Sequence, residues 1–226
     1  MQRFNAFNMV HKALRNMMYD TALTLQQTNF AEESEAAIAI EKIETVVHTF
    51  EGHAHHEDTL VLPAVEKYDA ALVESFENEH EKDIALGNML KNLINIYRHT
   101  TFEEEKVNAG SALSKSFVDF MVFNLEHMGK EEILINKVLW KNYTDEQILD
   151  ISKQIAASVP PEEMALISQW MIRSVNNTEA INWLLGLKAV APAFVLQSIL
   201  TAAEKSLPIQ RFEKIKEALE TKSIAA

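Results

Sequence analysis

Long runs of apolar residues that recur three or four positions apart restrict the fold of this chain more than any other feature. That spacing marks one face of an α-helix, whereas a half-buried strand alternates at every second position. Four runs of this kind cover about residues 4–27, 31–68, 71–99 and 111–140. Only 5 Gly and 5 Pro occur in 226 residues, too few for the many tight turns of a β architecture. The pattern predicts an all-α fold: an up-down-up-down four-helix bundle with an additional helical region at its C-terminal end.

Local signals predict where several of these helices begin or bend. Asp69 is a candidate N-cap for the third helix, because its carboxylate can accept a hydrogen bond from the first turn. Thr101 and Glu104 have the spacing of a capping box before the fourth helix. Pro63 is expected to kink the second helix, since it lacks an N–H group. The small residues around Gly110 are expected to interrupt or weaken the start of the fourth helix.

The C-terminal part of the sequence has shorter helical segments and contains no histidine. We therefore predict two domains, a bundle over residues 1–142 and a helical extension over residues 143–226. The most apolar stretch, residues 180–203, is interrupted by Lys188 and Pro192. These interruptions favour a buried helical hairpin over a membrane span.

Charge and composition exclude several classes of function. The formal net charge of −12 argues against a nucleic-acid partner, which normally requires a basic patch. The sequence has no Cys, so a metal would be held by His and carboxylate groups, a ligand set that suits non-haem iron, manganese or zinc. No continuous apolar core of a signal peptide is visible at the N-terminus, and we expect a cytoplasmic protein.

Histidine occurs once on the inward face of each predicted bundle helix. The four positions are His11, His53, His80 and His127. Glu57 and Glu131 follow His53 and His127 by four residues, which places each carboxylate one turn further along the same helix face. A lone histidine on an apolar face is usually a core residue. Four imidazoles and two carboxylates, however, are costly to bury in one core unless they share a partner. The conjunction predicts a metal site.

The remaining histidines are expected to lie away from this site. They are His48, His55, His56 and His99. Among the acids beside the candidate ligands, Glu132 is the strongest reserve ligand, and Asp58 and Glu81 are further candidates.

Four short segments, in this order, resemble the hemerythrin-like family of HHE cation-binding proteins. They are VHKALR around His11, H-x-x-x-E-D before Pro63, NEHEKD around His80 and HMGKEE from His127. The resemblance extends over residues 1 to about 141. It implies a four-helix bundle with two bridged non-haem iron ions. The four histidines would be the terminal ligands, and Glu57 and Glu131 the bridging carboxylates.

The sequence departs from the oxygen-carrying members of this family at one position. Those members have a fifth histidine one turn from the third-helix ligand, but here the positions one turn from His80 are Phe76 and Ile84. One iron would therefore be more open, or Glu132, Glu81 or a neighbouring histidine would fill the gap. This departure argues against reversible O2 carriage. It leaves O2 or redox sensing, a response to peroxide or nitric oxide, and iron handling as expected functions.

Other functions and folds stay open on the sequence alone. The same site could serve a ferroxidase or peroxidase enzyme, and we assign no catalytic residue. The metal state could instead control a protein partner bound through residues 143–226. A ferritin-like site needs two E-x-x-H motifs, and only Glu77 and His80 supply one.

Overall fold

The computed structural model describes residues 3–224, and the side chains of residues 3–221. Within this range every regular element is helical, which confirms the all-α prediction. The helices are α1 (Asn8–Gln27), α2 (Glu33–His56), α3 (Leu62–Glu66), α4 (Ala70–His99), α5 (Glu103–Asn142), α6 (Asp145–Ser158), α7 (Pro161–Ser174), α8 (Asn177–Val190), α9 (Ala193–Ser206) and α10 (Ile209–Ile224). A five-residue π-helical turn, Glu57–Val61, connects α2 to α3.

The described residues form two compact units. The first contains the residues up to Asn8 together with Met17–Ser158, and the second contains Met9–Asn16 together with the residues from Val159 on. Helix α1 is continuous, and its residues belong to both units. The predicted domain boundary after residue 142 stays a prediction.

Helices α2, α4 and α5 form the centre of the bundle in the first unit. Helix α4 packs against both α5 and α2. Short connections join the successive helices, as expected for antiparallel neighbours in a bundle. The largest fully buried side chains of these helices are apolar: Ile43, Leu90, Leu113, Phe117, Phe120, Met128, Ile135 and Leu139.

Three apolar residues that the helical spacing of these runs places inward are exposed instead, and one of them is Leu134, which is 40% exposed. Ile38 is 55% exposed and Ile84 is 46% exposed. On α4 the buried stripe passes through His80, Asp83 and Gly87, so the inward position next to His80 belongs to Asp83 and not to Ile84. The prediction for Ile84 failed because the acidic residue Asp83 occupies the buried position on α4, whereas the apolar pattern favoured its neighbour Ile84.

The predicted helix starts have mixed outcomes. The Asp69 side chain accepts a hydrogen bond from the Leu72 N–H at 3.1 Å, which confirms it as the N-cap of α4. The capping box predicted at Thr101 is wrong, because α5 begins at Glu103 and its N-cap residue, Phe102, makes no side-chain cap. Gly110 does not interrupt α5, which continues to Asn142.

The second predicted helix is interrupted before Pro63 rather than at it. Within the π turn the Leu62 N–H bonds to the Glu57 carbonyl, five residues back. Pro63 then falls in the first turn of α3, where its missing N–H leaves no helical bond unmade. The π turn therefore begins at Glu57, the residue predicted to be a metal ligand.

The second unit has its own apolar core from α7 to α10. The buried members include Ile172, Leu184, Ile199, Phe212 and Ile215. Asn176 and Glu179 form a complete capping box at the start of α8. The apolar stretch of residues 180–203 belongs to two helices, α8 and α9, which are separated by Ala191 and Pro192. No helix described between residues 3 and 224 has the length and apolar character needed to cross a membrane.

Candidate metal centre

The structure brings all six predicted ligand residues together. One group of side chains with mutually close ligand atoms contains Glu57, His80, His127 and Glu131, all of them buried. A second group contains His11, His53, Glu57 and Glu131. In each group, one ligand atom from every residue lies within 4.8 Å of the others. Glu57 and Glu131 belong to both groups, which is the arrangement expected of two bridging carboxylates.

The position of each candidate ligand follows from the local helical structure around it. His53 lies in the last turn of α2, and Glu57, four residues later, opens the π turn. His127 and Glu131 lie one turn apart on the buried face of α5. The i, i+4 spacing places each carboxylate beside its own imidazole. His53 Nε2 is 3.1 Å from Glu57 Oε1, and His127 Nε2 is 3.2 Å from Glu131 Oε1.

His80 faces both carboxylates across the bundle. Its Nε2 atom is 3.4 Å from Glu57 Oε2 and 3.9 Å from Glu131 Oε1. This nitrogen is buried and makes no hydrogen bond within the described chain. A buried polar atom without a hydrogen bond is unfavourable, and a metal ion at this place would satisfy it. The donor set therefore fits a metal cation bound through Nε2 atoms and carboxylate oxygens.

The other ring nitrogen of two histidines contacts a further carboxylate. His80 Nδ1 is 2.6 Å from Asp58 Oδ1, and His127 Nδ1 is 2.8 Å from Glu79 Oε2. The Lys130 ammonium lies 2.9 Å from the other oxygen of Glu79. The sequence alone does not identify Glu79 as part of the site, because its partner His127 lies on another helix, 48 positions away.

In the absence of metal, the carboxylates around the site favour the protonated form of the buried imidazoles. Burial lowers the pKa of His80, but the nearby carboxylates of Glu131 and Glu57 outweigh this effect and raise the pKa to about 11. The pKa of His127 is also raised, since its contacts with Glu131 and Glu79 outweigh the effect of burial. Metal binding at these nitrogens would therefore release protons.

No residue at the fifth-histidine position replaces that ligand. Phe76 is buried, and its ring packs edge-to-face on His127 with centroids 5.6 Å apart. The inward residue one turn beyond His80 is Asp83, which accepts a hydrogen bond from Asn124 Nδ2 at 2.6 Å. Burial raises the pKa of Asp83. This acid is absent from both ligand groups found among the described residues.

The reserve acids and the other histidines also lie outside the ligand groups of the described chain. Glu81 is exposed and Glu132 is half-buried. His48 and His55 are exposed, and His56 is half-buried. His99 donates its Nδ1–H to the Asn95 carbonyl at 2.8 Å, at the end of α4.

The bundle is all-helical and buries imidazoles around two shared carboxylates. These are the features of a helical protein with a site for metal cations. The family model of the hemerythrin HHE cation-binding domain matches residues 4–138, more than half of the chain. The chain belongs to this family. Neither a curated protein nor a solved structure matches it.

Proposed function

We propose that this chain binds two non-haem iron ions in a bridged centre that interacts with O2 or a related small oxidant. His11, His53, His80 and His127, whose ligand atoms lie close to those of the two carboxylates, would be the terminal ligands. Glu57 and Glu131 would hold both ions. The observation that carries this proposal is the sharing of these two carboxylates by both groups of ligand atoms.

The donor atoms are compatible with iron. The described site offers imidazole nitrogen and carboxylate oxygen, and the sequence has no thiolate to offer. This mixed set suits non-haem iron, with manganese or zinc as substitutes. The two carboxylates also neutralise part of the charge that two cations would bring into a buried position.

The number of ligands leaves positions for a small molecule. Two roughly octahedral ions offer about twelve positions. Four imidazoles and two bridging carboxylates fill eight, and a bridging oxygen atom would fill two more. Two positions therefore remain, one more than a fifth histidine would leave, because buried Phe76 and exposed Ile84 stand one turn from His80. When bound at this site, reduced iron would be the source of electrons for a diatomic ligand or a peroxide.

The protein's own contribution is to orient the ligands and to limit water. The Phe76 and Phe123 rings pack on His127, and Phe50 packs on His53. These aromatic contacts hold the imidazoles and provide an apolar boundary that limits side reactions with solvent.

Enzymatic turnover is the second candidate, favoured by the same open positions. Ferroxidase or peroxidase activity would consume substrate continuously, whereas a sensor would bind and release its ligand. A protein partner bound through residues 143–226, the cytoplasmic location and the absence of a nucleic-acid partner stay predictions.

The ligand assignment is tested by loading the full chain with Fe(II) under anaerobic conditions and measuring bound iron per chain. We expect two irons in the wild-type protein, and a loss of iron together with a lower melting temperature in His53→Ala and Glu131→Ala. His48→Ala is the matched control, because His48 lies on the exposed face of α2 and should leave both quantities unchanged. Unchanged iron content in the two ligand variants would overturn the assignment.

A further inference from the structure

Two carboxylates hold the outer edges of the imidazoles that face the candidate metal centre. Asp58 contacts Nδ1 of His80, and Glu79 contacts Nδ1 of His127. We propose that Asp58 and Glu79 are positioning residues, which fix these two imidazoles so that each presents Nε2 to the same metal ion. This inference rests on the proposed function, because it concerns how the site binds its metal.

The hydrogen-bond chemistry fixes the form of each ring. A carboxylate oxygen only accepts hydrogen bonds, so Nδ1 of each imidazole carries the proton. With Nδ1 protonated, the lone pair of the metal-binding ring lies on Nε2. The Nε2 atoms of His80 and His127 are the atoms that face Glu57 and Glu131. Hydrogen bonds of this kind commonly set the ring orientation of a metal-binding histidine.

The π turn explains how Asp58 reaches His80. Glu57 and Asp58 are adjacent in the chain, yet they contact opposite edges of one imidazole. Glu57 Oε2 lies 3.4 Å from Nε2 and Asp58 Oδ1 lies 2.6 Å from Nδ1. Successive side chains of an α-helix diverge by roughly 100°. Glu57 and Asp58 lie in a π turn and not in a regular α-helix, and both reach His80 on α4. Such turns are frequent at functional sites.

Glu79 reaches its target by a different route. It precedes His80 on α4 but contacts His127 on α5, so the two carboxylates link three helical elements. Lys130 binds the second oxygen of Glu79 at 2.9 Å and keeps this carboxylate in place. One oxygen of Glu79 therefore contacts His127 Nδ1 and the other contacts Lys130 Nζ, so both oxygens are engaged as acceptors.

Both carboxylates serve the same metal position. His80 and His127 belong to one ligand group, whereas His11 and His53 belong to the other. Loss of either carboxylate should therefore weaken one of the two metal positions and spare the other.

The test compares Asp58→Asn and Glu79→Gln with the wild-type full chain. These substitutions keep the side-chain shape but remove the charge. Asp58→Ala and Glu79→Ala, measured beside them, also remove the acceptor oxygen. The matched controls are Glu66→Gln and Glu77→Gln, which change exposed acids near Asp58 and Glu79. Competition with a chelator measures Co(II) affinity at each position. We expect a 10–100-fold weakening at one position in each test variant, and no change in the controls.

A magnetic resonance measurement separates positioning from general stability. In the Co(II) protein, the Nδ1–H protons of metal-bound imidazoles give strongly shifted signals that exchange with water. We expect Asp58→Asn to shift or remove the signal of His80, and Glu79→Gln that of His127. The His80 signal should exchange faster, because the Asp58 side chain is 42% exposed and that of Glu79 is 21% exposed.

The outcomes distinguish this inference from the proposed function. A wild-type protein that binds no metal would refute the proposed function. A wild-type protein that binds two ions, with affinities and N–H signals unchanged in the amide variants and in the alanine variants, would refute the positioning role alone. If Glu79→Gln fails to fold, Asp58→Asn still decides, because its exposed side chain carries little of the packing.

Discussion

Gly110 and Gly129, two glycines of the same helix, give a direct test of how α5 packs. A Cβ atom added at Gly110 would lie 2.0 Å from Phe30 Cγ, far inside contact distance. A Cβ atom added at Gly129 would meet nothing within 4 Å. Gly110→Ala should therefore force Phe30 to move, whereas Gly129→Ala should not disturb its surroundings.

Phe30 has little freedom to move away. It is buried, its carbonyl accepts a hydrogen bond from the Tyr97 hydroxyl at 2.9 Å, and its ring packs edge-to-face on Tyr97 at 5.8 Å. Overpacking of this kind costs about 1–3 kcal/mol. Replacing glycine by alanine inside a helix stabilises it by about 0.5–1 kcal/mol. Both variants share the stabilisation that alanine gives to the helix. The difference between their free energies of unfolding should therefore equal the cost of overpacking at Gly110, about 1–3 kcal/mol.

Urea unfolding of chelator-treated protein measures this difference without any contribution from metal. Gly129→Ala should be more stable than the wild type, and Gly110→Ala should be less stable than Gly129→Ala. In a Phe30→Gly background, Gly110→Ala should become stabilising, because the ring and the Cβ atom of Phe30, which both lie within 2.5 Å of the added Cβ, are gone. Equal stability of Gly110→Ala and Gly129→Ala in the presence of Phe30 would refute the close approach of α5 to this ring.

Two further substitutions test buried polar contacts. Burial raises the pKa of Asp83, so its charged form destabilises the fold above that pKa, and this cost disappears as the pH falls through it. Asp83→Asn should therefore be more stable than the wild type against urea, and this gain should be larger at pH 7 than at pH 4.5. An equal gain at both pH values would contradict this expectation. Arg211 binds the Val175 carbonyl and lies 2.8 Å from Asn177 Oδ1 in the second unit. Arg211→Met should cost about 1.5–3 kcal/mol there and speed hydrogen exchange near Val175; unchanged exchange would exclude this role.

The sequence predicts the helices and the residues that gather at the site, because both follow from spacing along one chain. His53 with Glu57, and His127 with Glu131, share a helix face whatever the tertiary structure is. The four-residue spacing of these pairs already places a carboxylate beside each imidazole.

The contacts that depend on packing between helices are the ones that the sequence does not predict. Glu79 precedes His80 in the chain, yet it contacts His127, because the packing of α4 on α5 decides its partner. Asp83 interrupts an apolar stripe, and its burial depends on Asn124 of the opposing helix. From the sequence, Gly110 suggests an interruption of the helix. In the structure it allows Phe30 to lie directly against α5.

The π turn is missed for a related reason. Pro63 predicts a disturbance in the second helix, but it does not predict that the wider turn begins six residues earlier, at Glu57. The turn directs Glu57 and Asp58 to opposite edges of the His80 ring. Local propensity is a weak guide where tertiary contacts decide the backbone geometry.

Metal analysis combined with iron X-ray absorption tests whether the chain binds a bridged pair of irons. The full chain should be purified without chelators or affinity metals and then loaded with Fe(II). We expect two irons per chain, a nitrogen- and oxygen-only coordination sphere, and an iron–iron scattering contribution from bridged ions. One iron per chain without an iron–iron contribution, or a folded protein that takes up no iron, would contradict this expectation.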